Sequence, residues 1–218
     1  MKKLLECWFC ILPLIPATAQ SSKEKIYDGR EYVLSSVRIS GTSFFRDGEN
    51  PQNNTLLFDK VLYRDVRLLY DIRTDELITQ RPGVAKDIIV VKELVDFFTL
   101  GRDTLVHLKE AGTGLPDGFY LQIFNSPAYK SVARYKKELK EPRAVKEKSY
   151  YSETVKYFMK TPGSDHFIPV RNIQNLLSID KQYKKKLRRL LRTEGDSDNF
   201  PASIALVLDY LNKASRHE

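Results

Sequence analysis

Cysteine is almost missing from this 218-residue chain: Cys7 and Cys10 are its only two, and both lie within the first nineteen residues. The one tryptophan, Trp8, lies there too. Beyond Ala19 the chain can form no disulfide, offer no thiolate nucleophile and bind no metal through sulfur. It also has no indole platform on which a sugar could stack. Histidine is nearly as scarce. His107, His166 and His217 show no H-x-x-x-H spacing, so each reads as a structural histidine satisfied by its neighbours. No G-x-S-x-G elbow, G-x-G-x-x-G turn or P-loop occurs, and Gly112-Thr113-Gly114 lacks the rest of any phosphate-cradling pattern. Long apolar runs are absent as well: nothing after residue 19 approaches the roughly 20 residues that span a bilayer.

What is present begins at the N-terminus. Met1, Lys2 and Lys3 precede an apolar run from Leu4 to Ile15, broken by Glu6 and followed by Ala17-Thr18-Ala19. A positive start, a short apolar stretch and a small-x-small end predict a secretory signal peptide over 1–19. Neither cysteine has the small residue before it that lipidation requires. The expectation is an exported protein, periplasmic or extracellular, with a polar disordered leader over 20–26. It must be held by an apolar core, and 199 residues suffice to build one.

Removing Lys2, Lys3 and Glu6 takes the formal net charge from +8 to +7, 34 basic residues against 27 acidic. A basic chain favours acidic partners or simply aids solubility. Outside the cytoplasm those partners are an envelope component, anionic lipid head groups or acidic glycans rather than nucleic acid.

From 27 to 171 short β-branched and aromatic runs alternate with turn residues, which predicts an antiparallel β domain. The Asp28-Gly29, Asp59-Lys60 and Arg73-Thr74-Asp75 turns separate strands, and Ile88-Ile89-Val90-Val91 reads as a buried central strand. Connections this short leave no room for crossover helices, so about nine to twelve strands should form a meander that curls or splits. From 172 to 218 helical spacing takes over. Leu176, Leu177, Ile179, Tyr183, Leu187, Leu190 and Leu191 form one stripe, with Ser178 and Asp180 at its start and Gly195 as a stop. Pro201 opens a second helix with Ile204, Val207, Leu208 and Leu211. The fold class is therefore α+β: a long antiparallel meander, curved or partly rolled, with a C-terminal pair of helices packed on it.

Three constellations carry candidate chemistry. Lys184, Lys185, Lys186, Arg188, Arg189 and Arg192 share one helix with the leucine stripe. Either this is a basic amphipathic helix over 181–192 for an anionic surface, or it is a core-facing helix with a solvated back. Paired carboxylates are the only route left to hydrolysis: Asp28 with Glu31, Asp65 with Asp71, or Asp75 with Glu76. Acidic residues beside turns also arise for local hydrogen bonding. Many tyrosines, among them Tyr27, Tyr32, Tyr63, Tyr70, Tyr120, Tyr129, Tyr135, Tyr150, Tyr151 and Tyr157, could face a groove or serve as ordinary strand residues. Asn53-Asn54-Thr55 matches a glycosylation acceptor.

The rhythm of Tyr27-Asp28-Gly29-Arg30-Glu31-Tyr32, Phe58-Asp59-Lys60-Val61-Leu62-Tyr63-Arg64-Asp65-Val66 and Leu69-Tyr70-Asp71 resembles a family of uncharacterised exported β-rich proteins of Gram-negative bacteria. The Lys184-Lys185-Lys186-Leu187-Arg188 helix is similar to theirs too. The resemblance implies location and fold class; it transfers no activity and no catalytic residue. The combined expectation is a non-catalytic binding or scaffold protein of the cell envelope, without a cofactor. Its alternatives are a hydrolase using two carboxylates and a peripheral binder of anionic membrane.

Overall fold

A computed structural model describes residues 25–33, 39–48, 54–141, 148–196 and 198–216. The expected signal peptide, most of the expected leader, Asn53 and His217 lie outside the described residues.

A 3-10 turn at Lys25–Tyr27 buries Ile26. Then follow β1 (Ile39–Ser40), β2 (Thr55–Phe58), β3 (Val61–Arg64), β4 (Leu68–Asp71), β5 (Glu76–Gln80) and β6 (Asp87–Ile89). The longer strands are β7 (Val95–Leu100), β8 (Asp103–Leu108), β9 (Gly118–Asn125), β10 (Lys130–Lys140) and β11 (Ser149–Lys160), with a short β12 (Ile168–Val170). The chain ends in α1 (Ile173–Leu177), α2 (Lys184–Thr193) and α3 (Phe200–Ala214). Nine strands form one curved sheet in the order β1-β11-β10-β9-β8-β7-β2-β3, with β12 also on β11; β4-β5-β6 form a second sheet. The large sheet does not close into a barrel. It is antiparallel except where β1 joins β11 in parallel.

Turn chemistry explains the hairpins. Asp59 and Lys60 both take positive φ, 48° and 64°, the mirror-image turn that matches strand twist. Gly101, φ 61°, takes the first central position between β7 and β8, where a Cβ would be strained. Asp71 accepts the backbone N–H groups of Arg73 and Thr74 with one carboxylate oxygen, which shapes the β4–β5 turn. Gly29 is needed for a different reason: a Cβ there would lie 1.7 Å from the carbonyl oxygen of Ile89.

One face of the large sheet carries the core. Leu56, Phe98, Leu105, Leu121 and Ala133 are successive cross-strand partners, and all are buried. Two layers divide that face. The three-stranded sheet covers β2, β7, β8 and the start of β9 through Leu68, Tyr70, Ile72 and Leu77. The helices cover the end of β9 with β10, β11 and β12 through Leu176, Leu187, Ile204, Val207, Leu208 and Leu211. A smaller cluster of Leu115, Tyr120 and Val132 sits on the opposite face.

Three details depart from the sequence reading. A short helix, α1, precedes the expected pair, and Ser178 closes it as C-cap instead of opening the long helix. Asp180 accepts the N–H of Gln182 in the connection, so the basic helix begins later, at Lys184. The Ile88–Val91 run is not a long buried strand. β6 lies between β5 and an extended segment, with Glu31 bridged to Ile88, and only Val90 of the run is buried. Helix α3 starts as its residues dictate, with the Asn199 side chain accepting from the Ala202 N–H and Pro201 in the first turn.

Candidate functional site

The densest polar cluster lies where β4–β5, the Lys92 turn and the start of β9 meet. Asp75 accepts from the Tyr70 hydroxyl at 2.6 Å, from Lys92 Nζ at 2.7 Å and from the Phe119 N–H at 3.3 Å. Arg134 Nη2 approaches the same carboxylate at 3.5 Å. Lys92 also reaches Asp117 Oδ1 at 3.0 Å. Asp117 in turn lies 3.3 Å from Nε2 of His107, whose Nδ1 is 3.0 Å from the Val95 carbonyl oxygen. Gly118 makes this possible, because a Cβ there would come within 2.7 Å of both Arg134 Nη2 and Asp75 Oδ2. A cleft of about 510 Å³, lined by Arg30, Asp75, Glu76 and Lys92 among others, opens beside the cluster.

A single ammonium nitrogen therefore joins two carboxylates, Asp75 and Asp117. Burial pushes the Asp117 carboxyl up, but hydrogen bonds from Lys92 and His107 outweigh it and hold the group below the usual carboxylate range. Burial pulls Lys92 down, but its bonds to Asp75 and Asp117 overcome that and raise it. Burial, reinforced by Asp75, drives the Tyr70 hydroxyl well above its ordinary value. Each shift secures the charge state the group already has at neutral pH. A proton-transfer site does the reverse and brings pKa values toward the working pH. The arrangement thus fits an ion cluster that clamps the small sheet to the large one.

Of the acidic residues proposed from the sequence, Asp28, Asp75 and Glu76 share the lining of the cleft beside the cluster. Glu31 pairs with Lys86 at 3.1 Å, and Asp28 is exposed. Asp71 is buried and accepts from the Tyr32 and Ser43 hydroxyls at 2.7 and 2.8 Å, whereas Asp65 is exposed. Glu76 bonds Arg30 and the Thr74 hydroxyl. His166 is exposed at its turn. Among the described residues no group of His, Asp and Glu could hold a metal ion. The tyrosines are divided: Tyr70, Tyr120 and Tyr129 are buried, Tyr27 and Tyr63 line an open groove beside β3, and of the remaining strand tyrosines only Tyr150 is exposed. Sequence reasoning missed Lys92, Asp117 and Arg134. The Pro116-Asp117-Gly118 turn leading into β9 was the available signal.

The basic helix presents a simpler site. Lys184, Lys185, Lys186, Arg188, Arg189 and Arg192 are all exposed, and none makes an ion pair among the described residues. Lys186 rests over the Tyr183 ring, 5.6 Å from its centroid. The leucine stripe of the same helix is used in the core, with Leu187 buried and Leu190 and Leu191 half-buried against α3 and the sheet. Among the described residues no helix is long and apolar enough to cross a membrane. No protein-family model, curated protein or solved structure matches this chain.

Proposed function

We propose that this is an exported, non-catalytic binding protein of the cell envelope that docks on anionic membrane through α2. The observation that carries the reading is the row of six exposed cations, without ion-pair partners among the described residues, on a helix whose apolar stripe is already committed to the core. Such a helix attaches by charge and does not insert. Each cation near an anionic leaflet contributes about 1 kcal/mol. Export rests on the 1–19 pattern and on the absence of cysteine beyond it.

Co-sedimentation with phosphatidylglycerol vesicles tests the proposal. The protein pellets with them at low salt and is released at about 1 M salt, where the screening length is roughly 3 Å. It ignores phosphatidylcholine vesicles. Binding that persists through high salt, or that does not distinguish the two lipids, overturns the reading.

One observation favours a second reading, an envelope hydrolase: the convergence of Asp75 and Asp117 on Lys92. Two-carboxylate hydrolysis needs one acid that keeps its proton near neutral pH, and the depressed Asp117 runs against that. Clearing of a peptidoglycan suspension, lost in Asp117→Asn, would restore the enzyme reading.

A further inference from the structure

An open groove lies at the other end of the sheet from α2. Its volume is about 990 Å³, and Val61 to Arg67 line it on one side and Gln80 to Ala85 on the other. The four consecutive residues of β3, Val61 to Arg64, alternate in orientation and all share the lining, so the groove runs along the edge of β3 and not over one face of it. Among the described residues β3 pairs only with β2. In a two-residue hairpin the closing pair, here Phe58 with Val61, exchanges both backbone bonds, and the pairs then alternate. Leu56 with Tyr63 is the next bonded pair. The backbone N–H and C=O of Leu62 and Arg64 therefore point outward into the groove, and they find no backbone partner among the described residues. Val61 and Leu62 are 37% and 45% exposed on this strand.

Such an edge is a template for one more strand. Native edges of this kind are usually blunted by a bulge, a proline or a cover; β3 pairs in unbroken register along its length. The charge around it selects the occupant. Arg64, Arg67 and Arg81 line the groove against a single carboxylate, Asp65. Arg67 is held by the Gln80 side-chain oxygen, and Arg64 makes no ion pair among the described residues. A second copy of this basic chain would bring arginine against arginine. We propose that β3 is a strand-addition site for an extended acidic peptide segment of a partner protein. Main-chain bonds from Leu62 and Arg64 give the docking, the face of β3 that carries Val61 receives the apolar side chains of the peptide, and the opposite face, which carries Arg64, receives its carboxylates. The site is separate from α2 and does not depend on the membrane reading.

The probe is a short fluorescein-labelled peptide alternating valine with glutamate, read by anisotropy against the full chain. It binds the unaltered protein. Replacing its glutamates by lysine, or N-methylating its valines on the edge that faces β3, weakens binding at least about tenfold. Leu62→Pro removes an outward donor without removing a hairpin bond, since proline is tolerated where a strand N–H faces solvent. It therefore abolishes binding while the thermal midpoint stays within a few degrees. Arg64→Glu gives a comparable loss with an unchanged melt, which keeps the test open even if the proline variant misfolds. Equal binding of the lysine peptide, indifference to N-methylation, or undiminished binding by Arg64→Glu overturns the proposal. So does displacement of the acidic peptide by dodecanoate together with indifference to N-methylation, which assigns the groove to an amphiphile. A concentration-dependent dimer that Arg64→Glu leaves intact and Leu62→Pro breaks assigns it to a second copy.

Discussion

The two halves of the inner sheet face are built differently. Under the three-stranded sheet the core carries a cluster of aromatic rings among its aliphatic side chains. Tyr70, Phe98 and Phe119 meet edge to face, with centroids 5.1–5.6 Å apart, and Phe45 joins through Tyr70 and Tyr135. Under the helices it is mainly aliphatic: Leu176, Leu177, Leu187, Ile204, Val207, Leu208 and Leu211. Two packed sheets stand about 10 Å apart, a gap that large flat rings fill. A helix brings its own curved ridges and is satisfied by branched side chains. The electrostatics differ in the same way. The aromatic half partners its buried charges: Asp75 binds Lys92 and Arg134, Asp71 is capped by hydroxyls and N–H groups, and the buried ammonium of Lys137 donates to the Phe44 carbonyl and to Asp47. The helical half leaves six cations on its outside without ion-pair partners among the described residues. Charge satisfied internally stabilises a fold; charge left over is available to a partner.

The sharpest way to break the comparison is to hollow each half. Phe98→Ala should cost about 3–5 kcal/mol and Leu208→Ala about 2–5 kcal/mol in denaturant unfolding. Both sets of neighbours rest on one continuous sheet, so circular dichroism and tyrosine fluorescence should report one transition. Two separated transitions would mean that the halves fold independently. Next in size is Asp75→Asn, which leaves Lys92 and Arg134 around a neutral amide and removes charged hydrogen bonds; about 1–3 kcal/mol is expected. The same exchange at exposed Asp65 should be nearly silent.

Acid and base sharpen the contrast further. Asp117 is lowered in the folded protein, so its contribution is complete above the unfolded carboxylate value of about 4 and is lost as pH falls through its folded value. Lys92 is raised, so its contribution is complete below the unfolded value of about 10.4 and is lost as pH rises through its folded value. A melt series against pH should therefore be flat near neutrality and fall at both ends, and Asp117→Asn should shallow the acid limb. The smallest stability effect belongs to α2. Lys185→Glu, Arg188→Glu and Arg192→Glu together should leave unfolding within about 0.5 kcal/mol per site while abolishing vesicle binding. A large loss of stability would mean that these cations serve the fold.

Much of the architecture was legible in the residues. Turn dipeptides such as Asp59-Lys60 placed the hairpin, and the period of the leucines placed α2 and α3 on the sheet. The ion cluster was not legible. Asp75, Lys92, Asp117 and Arg134 come from four segments, and each taken alone reads as an ordinary surface or turn residue. The tyrosines left two readings open. Their spacing suits strands, and only packing decides that Tyr70 and Tyr120 point inward.

Local chemistry settled what depends on neighbours in the chain: strand alternation, turn type, the start of α3, and the freedom from thiol chemistry beyond Ala19. Only the tertiary structure decided which charges neutralise one another, which apolar stripe is spent in the core, and that β3 is left at an edge. These depend on residues distant in sequence meeting in space, and no local propensity encodes such meetings.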